Sequence, residues 1–144
     1  MKPPLGVRGF ISMLQKFNIG DKTQWQRVVR AEDTAAFEGE QVHAVYATFA
    51  IARDAEWTSR QFVLAMKEAH EEGIGTFVNV AHFAPAFIGE TVLFEAEIDE
   101  FFKTTINCKF TARVGNRLVA EGRTGQKVLN KVKLNKHFEL LKDV

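Results

Sequence analysis

Cysteine is nearly missing from this chain of 144 residues: Cys108 stands alone. No internal disulfide can form, and no zinc site built from several cysteines. The four histidines, His43, His70, His82 and His137, make no HExxH pattern, so neither a metal nor another cofactor is expected. An excess of one charge is also lacking. Lys and Arg number 19 against 18 Asp and Glu, a net charge of +1, which argues against non-specific nucleic-acid binding. No run approaches the roughly 20 apolar residues that span a bilayer, and the patch Phe10–Leu14 is too short for a signal segment. No membrane association and a soluble, cytoplasmic protein are the expectation. Two of the three prolines fall at Pro3 and Pro4, and no linker or repeat interrupts the rest of the chain. With 46% hydrophobic residues the chain reads as one domain over 1–144, residues 1–19 being an N-terminal extension and 130–144 a C-terminal helix.

What is present is organised around residues 46–82. On a helical wheel Phe49, Ile51, Ala52, Ala55, Phe62, Val63, Met66 and Ala69 share one arc, with Arg53, Asp54, Trp57, Gln61 and Glu68 opposite. The pattern predicts an amphipathic helix of about seven turns, closed by the glycines of Glu72-Gly-Ile-Gly75. Thr48, Glu56 and Ser59 intrude on the apolar arc. A carboxylate there is costly unless paired or used, so Glu56 needs an explanation.

Around this helix the reading is mostly strand. Trp25–Arg30 has strand composition, Asp33–Phe37 suggests one helical turn, and Val42–Thr48 leads into the long helix. In residues 76–82, Thr76, Val78, Val80 and His82 share a face. Strict alternation marks 91–101 and 104–114, where Val92, Phe94, Ala96 and Ile98, then Ile106, Cys108, Phe110, Ala112 and Val114, take one side. Residues 117–129 make a last strand. Asn130 then caps a basic helix striped by Leu134, Phe138 and Leu141. Phe10, Met13, Leu14 and Phe17 also have helical spacing. A strand, a long helix and a meander of four strands predict an α+β hotdog fold, an antiparallel sheet wrapped around one central helix. Its open sheet edge calls for a homodimer or higher homo-oligomer.

The run VHAVYAT, Glu56 beyond it and the segment GIGTFVNVAHFAPAFIGETV resemble the fluoroacetyl-CoA thioesterase-like hotdog proteins over residues 25–129. The family's threonine falls on Thr48, its glutamate eight positions later on Glu56, and its histidine, in the form His-x-Ala-x-x-x-x-Gly, on His82 with Ala84 and Gly89. The resemblance implies hydrolysis of an acyl-CoA thioester by Thr48, Glu56 and His82 at a dimer interface. Thr48 would be the nucleophile or would position the thioester, and Glu56 and His82 would manage protons. Each has an ordinary alternative: Glu56 paired with Arg53 or Arg60, Thr48 bonded to the backbone, and His82 a satisfied core residue.

Lys127, Lys131, Lys133 and Lys136 make a basic run, either a solvated face or a dock for coenzyme phosphates. A non-catalytic acyl-CoA-binding or regulatory module is the alternative to an enzyme. A hotdog hydratase fits less well, because its acid and histidine lie close together on one segment. Here positions 56 and 82 are 26 apart.

Overall fold

The structure, a computed structural model, describes residues 13–14 and 16–143. Phe10 lies outside them; Met13, Leu14 and Phe17 stand in irregular chain rather than in the helix that their spacing suggests. Met13 is buried, and Phe17 meets Phe62 edge-on at 5.0 Å.

Alternation dictates the sheet. Strands β1 (Lys22–Val28), β4 (Glu71–His82), β5 (Thr91–Phe102), β6 (Thr105–Val114) and β7 (Arg117–Asn130) are joined in the order β1-β5-β6-β7-β4. Every pairing is antiparallel. The inward residues Val92, Phe94, Ala96, Ile98, Ile106, Cys108, Phe110 and Ala112 are all buried, as the period of two requires. Helix α1 (Thr48–Met66) lies across this face and buries Ala50, Ile51, Ala55, Phe62, Val63 and Met66. Each large apolar side chain enclosed in this way contributes roughly 2 kcal/mol. The hotdog arrangement is present, with one correction to the meander. β4 pairs with β7, not with β5, so it forms a sheet edge.

Helix α1 has 19 residues, about five turns rather than seven. It stops because the buried carboxylate of Glu71 captures amides: Oε1 accepts from the N–H of Glu68 and Oε2 from that of Met13. The glycines expected to cap the helix stand inside β4. A Cβ on Gly73 would come within 2.5 Å of Val63, so Gly73 allows helix and strand to approach closely. Thr76 sits at a register shift between Gly75 and Phe77, which turns its hydroxyl to the outer face, away from Val78, Val80 and His82.

The segment before the helix is a hairpin rather than a helical turn. A 3-10 turn at Ala31–Asp33 leads into β2 (Thr34–Phe37) and β3 (Glu40–Tyr46). Glu38 and Gly39 between them both have positive φ, 52° and 80°, as a tight two-residue turn demands. Helix α2 (Lys131–Lys142) begins where expected: Asn130 Oδ1 accepts from the N–H of Lys133 at 3.1 Å.

Asp54, placed by the wheel on the solvent side, is 1% exposed, whereas Phe49 of the apolar arc is 50% exposed. The reason is a polar cluster that covers the start of the helix. Asp54 accepts from Arg27 at 3.0 and 3.2 Å, from Arg53 at 3.0 Å and from the hydroxyl of Tyr46. Asp33, fully buried, accepts from Arg30 and Arg53 and from the backbone N–H of Arg30. Burial alone would raise both carboxyl pKa values, but the guanidinium groups prevail and hold both below the ordinary value of 3.8. The unfolded chain therefore binds more protons in acid. This stabilisation is complete above the ordinary carboxylate value and is lost as pH falls through the depressed values. Asp54→Asn should cost about 3 kcal/mol at neutral pH, the scale for breaking a buried pair. It should also make the melting temperature fall less steeply than in wild type below about pH 4. Thermal melts across pH check both expectations.

Candidate active site

The segment Val45–Thr48 is drawn against the loop after β4. Val45 bridges Phe87, the N–H of Tyr46 donates to Ala86 O at 2.8 Å, and the N–H of Ala47 donates to Asp33 O at 2.8 Å. Thr48 thus opens helix α1 beside His82, the last residue of β4. Its Oγ1 lies 2.9 Å from His82 Nδ1. The other ring nitrogen, Nε2, is 3.0 Å from Ala84 O. A carbonyl oxygen can only accept, so in the neutral ring Nε2 carries the proton and Nδ1 presents its lone pair to the Thr48 hydroxyl. A hydroxyl beside a base whose tautomer is set by a third group is the geometry of an activated nucleophile. Thr48 is exposed and His82 half-buried, so the pair faces outward. The helix start has no side-chain cap at Ala47, which leaves first-turn N–H groups available near Thr48.

Glu56 lies elsewhere in the same chain. It is two helical turns beyond Thr48, about 12 Å along the axis. Its carboxylate overlies Gly75, where Oε1 is 2.1 Å from the place a Cβ would occupy. Gly75 and His82 are seven positions apart on β4, a span of about 20 Å. The ordinary pairing of Glu56 with a neighbouring arginine does not occur. Arg53 is committed to Asp33 and Asp54, and Arg60 to Glu72 and the carbonyl of Gly73. Among the described residues, nothing donates a hydrogen bond to the Glu56 carboxylate or forms an ion pair with it.

The lysines are at the Glu56 end. Lys127 follows Gln126, the cross-strand partner of Gly75, and Lys131, Lys133 and Lys136 ride on α2; all four are exposed. The structure does not bring them to Thr48 within one chain. Ser59 is a buried packing residue whose Oγ accepts from Thr124 at 2.7 Å. His43 and His70 are exposed. Glu68, His70 and Glu71 place possible metal-ligand atoms within 4.8 Å of one another. The oxygens of Glu71 already accept two backbone amides, so this grouping serves as the helix stop. A depression of 290 Å³ bordered by Glu95, Glu97, Lys109 and Glu121 opens on the charged outer face of the sheet.

The fold and these residues have relatives. The model of the fluoroacetyl-CoA-specific thioesterase family matches residues 29–132. A hypothetical Thermus thermophilus protein, a thioesterase superfamily member, is 31% identical and superposes with a TM-score of 0.84, over 90% of this chain and 96% of its own. The fluoroacetyl-CoA thioesterase FlK superposes at 0.79 with 21% identity, over 88% and 98%. A hot-dog-like protein from Thermanaerovibrio acidaminovorans does so at 0.77 with 18% identity, over 85% and 90%. No curated protein matches the sequence. The match across residues 29–132 spans both Thr48 and His82, and with it the chain belongs to the fluoroacetyl-CoA-specific thioesterase family of hotdog-fold thioester hydrolases.

Proposed function

We propose that this protein hydrolyses a small or medium acyl-CoA at a site completed by a second copy of the chain. The observation that carries the proposal is the hydrogen bond from Thr48 to His82, with Ala84 setting the tautomer. His82 Nδ1 takes the Thr48 proton as Oγ1 attacks the thioester carbonyl. The C–S bond breaks, and the coenzyme leaves as its thiol, taking from His82 the proton that Thr48 gave up. The acyl group is then an ester on Thr48. The first-turn amides of α1 are donors for the oxyanion.

Removing the acyl group needs a base for water, and the free carboxylate of Glu56 supplies one. Within a chain it is too far away. Pairing of the β4 edges about a two-fold axis removes that distance. The exposed positions of β4 (Gly75, Thr76, Phe77, Asn79 and Ala81) span 75–81, a stretch centred on Val78. Antiparallel pairing centred there sets Gly75 of one chain against the end of the other strand, near the partner's His82. Each site then combines Thr48 and His82 of one chain with Glu56 of the other, and the lysines of the Glu56 chain stand beside it.

Thr48→Ala and Glu56→Gln should each lower turnover by about a hundredfold. Equal amounts of the two inactive proteins, mixed under conditions of subunit exchange, should regain nearly a quarter of wild-type activity, because one heterodimer site carries neither lesion. Heterodimers seen by mass spectrometry with activity at background would remove the shared site. Thiol release from acyl-CoA substrates is the readout. Stabilisation by acyl-CoA without thiol release would instead identify a binding module.

Gly75→Ala tests the seat of the carboxylate. The added methyl meets the flexible end of Glu56, so the protein should keep its fold while the carboxylate is displaced. Turnover should fall at least about tenfold with an unchanged circular dichroism spectrum; wild-type turnover would separate the Glu56 position from catalysis.

Neutralising Lys127, Lys131, Lys133 and Lys136 together should raise the KM for acyl-CoA and weaken its salt dependence, with kcat nearly constant. An unchanged KM would leave these lysines as a solvated face.

A further inference from the structure

Among the described residues, two buried side-chain atoms lack a hydrogen-bond partner: Asn107 Oδ1 and Gln126 Oε1. Gln126 is 2% exposed and faces inward from β7, opposite Gly75. Its Nε2 donates to the main-chain carbonyl of Glu56 at 3.2 Å. That carbonyl can only accept, so chemistry fixes the orientation of the amide and leaves Oε1 as the unmatched atom.

Beside it stands a second acceptor. The carboxylate of Glu56 overlies Gly75, the cross-strand neighbour of Gln126, and side-chain positions in such a pair are about 5 Å apart. An amide oxygen and a carboxylate, neither with a donor among the described residues, therefore occupy neighbouring positions on this face of the sheet. A backbone amide or a single hydroxyl would serve one of the two. A water molecule serves both, one O–H to each, and keeps its lone pairs for attack.

We propose that Gln126 and Glu56 jointly hold the water that hydrolyses the acyl group, Gln126 Oε1 positioning it and Glu56 accepting its proton. This rests on the thioesterase reading above and extends it to a residue outside the Thr48, Glu56 and His82 set. The oxygen of the water bonds to the acyl carbon on the partner's Thr48, and its proton passes to Glu56. The ester C–O bond breaks, and the Thr48 oxygen takes a proton that His82 relays from solvent. The products are a free carboxylic acid and the original hydroxyl, and Glu56 returns its proton to solvent.

Competition between water and methanol tests this. Methanol has one O–H and can satisfy only one acceptor, so the intact site should favour water. Acid and methyl ester formed from one acyl-CoA in buffered methanol are quantified for wild type, Gln126→Met and Gln126→Glu, with incubations long enough for slow variants. The ester-to-acid ratio belongs to each turnover and is independent of how much protein is folded. Gln126→Met should raise it by about tenfold, the scale of one lost hydrogen bond, whereas Gln126→Glu, which keeps an acceptor oxygen, should stay nearer wild type. A ratio for Gln126→Met within about threefold of wild type, or an equal rise for Gln126→Glu, overturns the role of Gln126 alone. A wild type that forms neither product overturns the hydrolase reading as well.

Discussion

The buried carboxylates of Asp33 and Asp54 fix where the central helix begins, and the geometry of the site depends on that. Two negative charges out of contact with water are tolerable only because Arg27, Arg30, Arg53 and the Tyr46 hydroxyl surround them. These partners come from β1, the residue that precedes the 3-10 turn, the end of β3 and the helix itself, so the cluster joins four parts of the chain at one point. Asp33 also accepts from Ala47 through its main-chain carbonyl, one residue before Thr48. An apolar cluster of equal volume would fill the same space, but it would not dictate the direction in which the chain enters the helix. Charge-assisted hydrogen bonds are directional, and here they set the rotation of the first turn.

A second constraint acts further along the helix. Gly73 and Gly75 face it from β4, and the side chains that fill the room they leave are Val63 and Glu56. Close approach at these positions turns Glu56 toward the strand and keeps it from the arginines that would otherwise neutralise it. Arg53 is drawn the other way by the Asp33–Asp54 cluster, and Arg60 by Glu72. The free carboxylate is thus a consequence of ion pairs made elsewhere.

Much of this was legible in the sequence. The period of two in β5 and β6 gave the inward residues correctly, because one face of those strands packs uniformly and the other is solvated. The intervals from Thr48 to Glu56 and from Glu56 to His82 singled out these three residues through family resemblance; the structure joins Thr48 with His82 and sets Glu56 apart, over Gly75. The wheel misread Asp54 and Phe49 because it assumes one buried side. The helix is covered on a second side by β1 and the hairpin, which no local periodicity encodes. The glycines after the helix looked like a cap, since a helix end and a close strand approach call for the same residue. Gln126 was overlooked, although a signal existed: a glutamine stands at an inward position between Thr124 and Val128, where alternation calls for an apolar side chain.

Under the proposed reaction, the separation of Glu56 from Thr48 and His82 constrains how copies of the chain can assemble. The two halves lie toward opposite ends of β4, about 20 Å apart. Parallel alignment of two such strands would set like ends together, two hydroxyl–histidine pairs at one end and two carboxylates at the other, with no complete site at either. Stacking through the outer face of the sheet would bring together surfaces bearing Glu95, Glu97, Lys109 and Arg123, and would leave Thr48, on the helix side, untouched. Antiparallel pairing about a two-fold axis is the operation that exchanges the ends of a strand, so it sets each half against its complement twice. It also satisfies the open main-chain groups of an edge strand 12 residues long, which is a reason to pair independent of any chemistry. In the proposed dimer the arrangement that completes the sheet also completes the site, since within a single chain Glu56 stays apart from Thr48 and His82.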